Sequence, residues 1–70
     1  MEQLSDAEIG GKLKRLRGIR TMSGLAQELG IPVSTYQSYE YGARHVPDAV
    51  KIKIAKYYGL SVSEIFFAGE

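Results

Sequence analysis

An all-α fold of five short helices is predicted by three features of the sequence. Apolar residues recur at helical spacing, as at Ile9, Leu13 and Leu16. A Ser-x-x-Glu capping signature occurs twice, at Ser5–Glu8 and Ser61–Glu64, and each copy is flanked by an apolar pair placed to staple the helix start, Leu4 with Ile9 and Leu60 with Ile65. Gly18, Gly30, Gly42 and Gly59 stand where the periodic runs stop. Only Val50–Ala55 alternates like a strand, with Lys51 and Lys53 between apolar residues, and the flanking helix caps argue against that reading.

The first helix is expected to follow Ser5 and to end near Gly18. Gly10 and Gly11 lie inside it, and each weakens a helix by about 1 kcal/mol relative to alanine; close packing against a neighbour would explain them. Thr21 is placed to cap a second helix, Met22–Leu29, that turns Leu25, Ala26 and Leu29 inward. Gly30 fits the left-handed position after a helix, with Ile31 as the apolar contact behind it. Pro32 tolerates a helix start, so a third helix is expected from Val33 to Tyr41, closed by Gly42. After the loop Ala43–Pro47, Asp48 is placed to cap a fourth helix with an apolar stripe of Val50, Ile54, Ala55 and Tyr58. The fifth helix is short and is expected to end near Ala68. No repeat, linker or low-complexity run divides the 70 residues, so one domain over 1–70 with its core in 5–68 is expected.

Composition narrows the function classes. With 44% hydrophobic and 24% charged residues the chain has a globular composition, and it has no cysteine, which removes disulfides, thiolate metal clusters and cysteine nucleophiles. Its one histidine, His45, cannot hold a metal alone. No nucleophile stands near a base at a usable spacing and no glycine-rich phosphate loop occurs, so no enzyme and no cofactor is expected. The longest uncharged stretch, Tyr57–Ser63, is too short and polar to span a bilayer. Glu2, Asp6 and Glu8 are the opposite of a basic signal-peptide start, so a cytoplasmic setting without a membrane partner is expected. Net charge is only +1, but its distribution is uneven. Residues 1–8 carry three acids and no base, whereas residues 9–47 carry six bases (Lys12, Lys14, Arg15, Arg17, Arg20, Arg44) against two acids (Glu28, Glu40).

The centre of the chain, Leu25 to Tyr36, reads as two short helices joined by a tight glycine turn. Ala26 lets the helices cross closely, and Ile31, Tyr36 and Tyr39 fix their angle. That geometry leaves the second helix protruding, and a major groove about 12 Å wide admits one helix.

The sequence resembles the phage-repressor and Cro-type helix-turn-helix family, also called XRE. The resemblance is carried by Ile9-Gly10-x-Lys12-Leu13-x-x-Leu16-Arg17, Thr21-x-x-x-Leu25-Ala26-x-x-Leu29-Gly30-Ile31, Ser34-Thr35-Tyr36-x-x-Tyr39-Glu40-x-Gly42-x-Arg44, and the run from Ile52 to Phe66. It covers roughly residues 9–68 and is greatest to short Gram-positive bacterial and phage members. It implies a compact lambda-repressor-like DNA-binding domain. The chain departs from the family pattern in a shorter connection between Arg17 and Thr21, in Met22 where a glutamine is usual, in Gly24 for a frequent glutamate, and in Pro32 where a capping Ser or Thr is usual.

On a recognition helix that starts at Val33, the groove-facing residues are expected to be Val33, Ser34, Gln37 and Ser38, the positions that read bases in the family. Gln37 is the foremost of these because its amide can bond an adenine edge in two places, and Val33 suits a thymine methyl. Ser34 and Ser38 can alternatively bond phosphate or their own backbone. The resemblance implies phosphate contacts around Thr21, Met22, Thr35, Tyr36, Arg44 and His45, with Lys12 a further candidate. Tyr36 and Tyr39 are expected in the core, Tyr36 with its hydroxyl toward a phosphate, and Tyr41 is expected outside. Arg17 and Glu40 match a family ion pair between the first and third helices, a structural role. Lys51, Lys53 and Lys56 are expected to be solvated.

The expected partner is operator DNA, bound by a homodimer whose half-sites lie about one helical turn apart, with repression as the commonest action of similar proteins. Tyr57, Phe66 and Phe67 are candidates for the dimer surface, and burial within the fold is equally open for both phenylalanines. The competing reading is a protein-interaction module, an adaptor, antirepressor or antitoxin-like protein with a regulatory protein partner, because fold does not fix function.

Overall fold

The structure, a computed structural model, describes residues 2–68. Five helices follow one another: α1 (Asp6–Arg17), α2 (Met22–Leu29), α3 (Val33–Glu40), α4 (Asp48–Tyr58) and α5 (Val62–Phe66). Both capping boxes form. Glu8 N donates to Ser5 Oγ (3.2 Å) while Ser5 N donates to Glu8 Oε1 (2.9 Å), and the same exchange joins Glu64 and Ser61 at 3.1 and 2.7 Å. Thr21 Oγ1 accepts from Gly24 N at 2.9 Å, which sets the start of α2.

The turn between α2 and α3 follows from one residue. Gly30 has φ +72°, a left-handed conformation open to glycine without a steric penalty, and Ile31 N then donates to Ala26 O at 3.0 Å to close the helix end. Ile31 packs on the core behind it. Ala26 is buried at the crossing, and α3 leaves at the angle that its own Tyr36 and Tyr39 fill from the inside.

The core is made of Ile9 and Leu13 of α1, Leu25, Ala26 and Leu29 of α2, Tyr36 and Tyr39 of α3, Val46, Ile54 and Ala55, and Ile65 and Phe66 of α5. The contact of α1 with α3 is the most extensive between helices. Gly10 makes it possible: a Cβ there would stand 2.8 Å from the carbonyl oxygen of Tyr39 and closer still to that of Glu40. Gly11, its neighbour, meets nothing nearer than the tip of Arg15 at 3.9 Å.

Several expectations are corrected. Both α3 and α4 begin after a proline, so Asp48 is the first helical residue and Pro47 the cap, with no side-chain capping bond. α5 ends at Phe66 and not near Ala68, because the backbone turns extended at Phe67 and the end of the helix pairs with residues 2–4. Leu4 N donates to Phe66 O (3.0 Å), Ala68 N donates to Glu2 O (2.7 Å), and Gln3 faces Phe67 in an antiparallel bridge. Phe66 is completely buried, which removes it from any dimer surface, and Lys51 is buried where solvation was expected. Lys53 and Lys56 are exposed.

Candidate nucleic-acid interface

α3 has one face held by the core and one face left to solvent. Inward, Tyr36, Tyr39 and Glu40 are buried. Outward, Val33 is 40% exposed and Ser34 is exposed, with Gln37 and Ser38 half-buried one turn on. These four side chains lie at i, i+1, i+4 and i+5 and so share one strip of the helix surface. Tyr41, 71% exposed, continues the line Val33–Gln37 by one more turn. The sequence places Val33, Ser34, Gln37 and Ser38 on this face and Tyr41 outside, but does not join Tyr41 to the strip.

The strip is aimed by a charge network behind it. Arg17 Nε donates to Glu40 Oε2 at 2.6 Å and its Nη2 to Glu40 Oε1 at 3.1 Å, a two-pronged pair between α1 and α3. Tyr36 Oη donates to the same Oε2 at 2.7 Å. Arg17 Nη1 also donates to Arg20 O at 2.9 Å, which ties the α1–α2 connection to the pair. The hydrogen bond to Glu40 holds the Arg17 guanidinium above its ordinary value. Burial, and next the bond to Glu40, pushes the Tyr36 hydroxyl well above the ordinary tyrosine range, so it stays a neutral donor. This corrects the phosphate role expected of Tyr36, since a hydroxyl buried against Glu40 presents nothing to a phosphate.

Two helix starts contribute donors beside the strip. At α2, Gly24 N and Leu25 N both bond to Thr21, and the N–H groups of Met22 and Ser23 have no acceptor among the described residues. At α3, Thr35 N and Tyr36 N both donate to Pro32 O at 3.1 Å, leaving the N–H groups of Val33 and Ser34 without one. Pro32 has no side-chain oxygen to cap them. Such N–H groups, at the positive end of the helix dipole, suit anions.

The other expected site residues are placed unevenly. Thr35 and Arg44 come together, Arg44 Nη1 from the loop after α3 lying 3.5 Å from Thr35 Oγ1 in the first turn of that helix. His45, beside Arg44, turns its Nδ1 to Asp6 Oδ1 at 3.0 Å and so pins that loop to the start of α1. Gln37 makes no side-chain hydrogen bond to a described residue, whereas Ser38 Oγ donates to Ser34 O at 3.1 Å, the backbone alternative. The Met22 side chain packs on the core, so only its N–H is offered outward. Lys12 is set apart: its ammonium donates to Glu64 O of α5.

Sequence reasoning missed the brace beneath α2. Arg20 Nε donates to Tyr57 Oη at 3.1 Å, and its guanidinium carbon lies 5.6 and 5.4 Å from the ring centres of Tyr57 and Tyr58. Burial raises the Tyr58 hydroxyl above its ordinary value, and it is the buried side-chain polar atom without a protein partner among the described residues.

Among the described residues no cluster of His, Asp and Glu could hold a metal ion, and no helix is long and apolar enough to cross a membrane. A helix-turn-helix family model matches residues 12–65, from within α1 to within α5. Comparison with curated proteins and with solved structures gives no significant match.

Proposed function

The chain belongs to the XRE-type helix-turn-helix family of DNA-binding regulators, and from that premise we propose that it is a sequence-specific repressor that lays α3 in the major groove of an operator. The observation that carries this reading is the outward strip of α3. Its residues turn away from the core, and the Arg17–Glu40–Tyr36 network holds the helix rigidly from behind. A recognition helix has to be rigid, because each base contact depends on placement within a fraction of an ångström.

In this reading Gln37 is the principal base reader, with its amide unengaged. Val33 packs on a thymine methyl, and Ser34 offers both a hydroxyl and an N–H. Ser38 contributes less, since its hydroxyl is already bonded to Ser34 O. Phosphates are held by the N–H groups of Met22 and Ser23 at the start of α2, by Thr21, and by the Thr35–Arg44 pair on the other side of the strip. His45 supports that loop through Asp6 and offers its remaining ring nitrogen. Tyr41 extends the contact by one turn. The protein acts in the cytoplasm as a homodimer on a two-fold related site, because four short side chains on an eight-residue helix read too few base pairs to define an operator alone.

Selection of bound sites from random duplexes tests the proposal. Enrichment of one short sequence in two inverted copies is the expected result. Amide shifts on titrating the enriched duplex should centre on Met22, Ser23, Val33–Ser38 and Arg44. No enrichment, or shifts confined to surfaces away from α3, would overturn it in favour of a protein-binding role. A reporter carrying the enriched site should fall in output when the protein is supplied, and sedimentation of the complex should give two chains per duplex.

A further inference from the structure

Lys51 is a cation of α4 that the fold takes inside. Its side chain is 5% exposed, and the carboxylate within ion-pair distance is that of Asp48, with Oδ1 at 3.6 Å on a side chain 95% exposed. That separation is beyond hydrogen-bonding reach, and the ammonium donates to no described residue. It lies 5.7 and 5.9 Å from the ring centres of Phe66 and Phe67. Ring faces and a loosely held, solvated carboxylate offset only part of the cost of placing a cation on an almost wholly buried side chain, and its donors are left to the solvent that reaches its tip.

The same ammonium stands in the wall of a cavity of ≈ 460 Å³ lined by Gln3, Asp48, Lys51, Ile52, Val62 and Phe67. Its walls come from the N-terminal extended segment, the first turns of α4 and the two ends of α5. None comes from α2, α3 or the loop that bears Arg44. The volume is within the range that small-molecule sites occupy, and the lining has their usual character, an apolar body with a few convergent polar groups.

We propose that this cavity binds a small monocarboxylate with an apolar body, a site separate from the DNA-reading surface. The Lys51 ammonium takes the carboxylate, and the Gln3 amide, which bonds to no described side chain, donates to its second oxygen. Ile52, Val62 and the Phe67 ring cover the hydrocarbon part. Asp48 at the mouth repels a second negative charge, which disfavours phosphates and dicarboxylates. The pairing replaces a long, solvated contact with a charge-assisted hydrogen bond in a partly dry setting, the stronger arrangement.

The test is titration of the full chain with hexanoate, hexanol and acetate, followed by nuclear magnetic resonance. Hexanoate should give saturable shifts at the Gln3 side-chain amide, the Ile52 and Val62 methyls and the Phe67 ring. Hexanol, which lacks the charge, and acetate, which lacks the body, should each bind about tenfold more weakly. Lys51→Met keeps the buried stem and removes the charge, so hexanoate should fall to the level of hexanol while hexanol is unaffected. Ile52→Glu, at an exposed position that leaves the core intact, places a negative charge at the rim and should abolish hexanoate binding even if the Lys51 variant does not fold. The proposal is overturned if wild-type protein shows no saturable shift at these residues, if hexanol equals hexanoate, or if shifts there follow protein concentration alone, the mark of a second copy occupying the cavity. DNA is absent throughout, so failure of this site and failure of the repressor reading are separate results.

Discussion

Gly10 lies directly against the backbone of Glu40, so close that a methyl group on it would overlap the carbonyl oxygens of both Tyr39 and Glu40. The approach of α1 to α3, and through it the angle of the outward strip, depends on that missing side chain. A Cβ on Gly11, one residue on, would meet only the flexible tip of Arg15 at 3.9 Å. The two adjacent glycines therefore have opposite predicted responses to alanine. Gly10→Ala should destabilise the fold by about 1–3 kcal/mol, as overpacking does, although alanine favours the helix. Gly11→Ala should stabilise it by up to about 1 kcal/mol through helix propensity alone. Urea denaturation of both variants reads the difference, and equal midpoints would show that α1 and α3 do not meet so closely.

The Arg17–Glu40 pair makes a second, larger prediction. Glu40 presents only 1% of its side chain to solvent, so removing its partner strands a carboxylate with Tyr36 as its remaining side-chain donor. Arg17→Met should lose about 3–5 kcal/mol. Tyr36→Phe keeps the ring and deletes one charge-assisted bond, a loss of about 1.5–3 kcal/mol. The double variant should differ from the sum of the singles, because both act on one carboxylate. Raised in the folded state by burial, the Tyr36 hydroxyl contributes stability that is complete below its ordinary value of 10.0 and is lost as pH climbs beyond it. Tyr36→Phe should flatten that alkaline loss in part, leaving the share due to Tyr58, which burial raises in the same direction.

What could be read in advance was set by local rules. Ser5 with Glu8, Ser61 with Glu64, Thr21 before Met22 and Gly30 before Ile31 each act within a few residues, and the helix starts and the central turn follow from them. Phage-repressor-like spacing further identified the partnership of Arg17 with Glu40. The missed features depend on neighbours far along the chain. Its charge marks Lys51 as a surface cation like Lys53, although its spacing from Ile54 and Ala55 sets it on the inward face of α4, where Phe66 and Phe67 stand beside its ammonium. The pairing of residues 2–4 with 66–68 has no signature in either segment alone. Tyr36 could be assigned to the core, but whether its hydroxyl met Glu40 or the outside depended on the depth of α3, which Gly10 decides.

Acid should act on the two capping boxes. Glu8 is held below its ordinary value of 4.5 by the Ser5 backbone N–H and then by the Ser5 hydroxyl, and Glu64 is held down by Ser61 in the same way. A carboxylate lowered in the folded state contributes stability above its unfolded value, and that contribution disappears as pH falls through the folded one. Melting temperature should accordingly drop as pH is taken from about 5 toward 3. In the double variant Glu8→Gln, Glu64→Gln the neutral amide can still accept the capping bond, so the variant should be somewhat less stable at neutral pH and flatter through the acid range. A double variant as acid-sensitive as the wild type would place the titrating groups elsewhere.

Base reading and phosphate holding should separate cleanly between Gln37 and Arg44. Gln37 stands mid-strip with its amide unengaged, and its truncation removes a bidentate contact to one base pair. Gln37→Ala should therefore lose about 1–3 kcal/mol on the preferred site and little on sites altered at that base pair, so that preference relaxes at one position only. Arg44, at the edge of the strip beside Thr35, touches no base in this reading. Its removal should weaken every duplex by a similar factor and reduce the slope of log affinity against log salt by about 1, the signature of one lost phosphate contact. Gln37 points away from the core, so its variant should melt with the wild type, and a loss of binding cannot then be ascribed to unfolding. The diagnostic measurement is a matrix of the two variants against duplexes substituted at each base pair, at two salt concentrations. If Gln37→Ala kept full preference everywhere while Arg44→Ala changed it at one position, the register of α3 in the groove would have to be rotated so that its C-terminal end and the following loop did the reading.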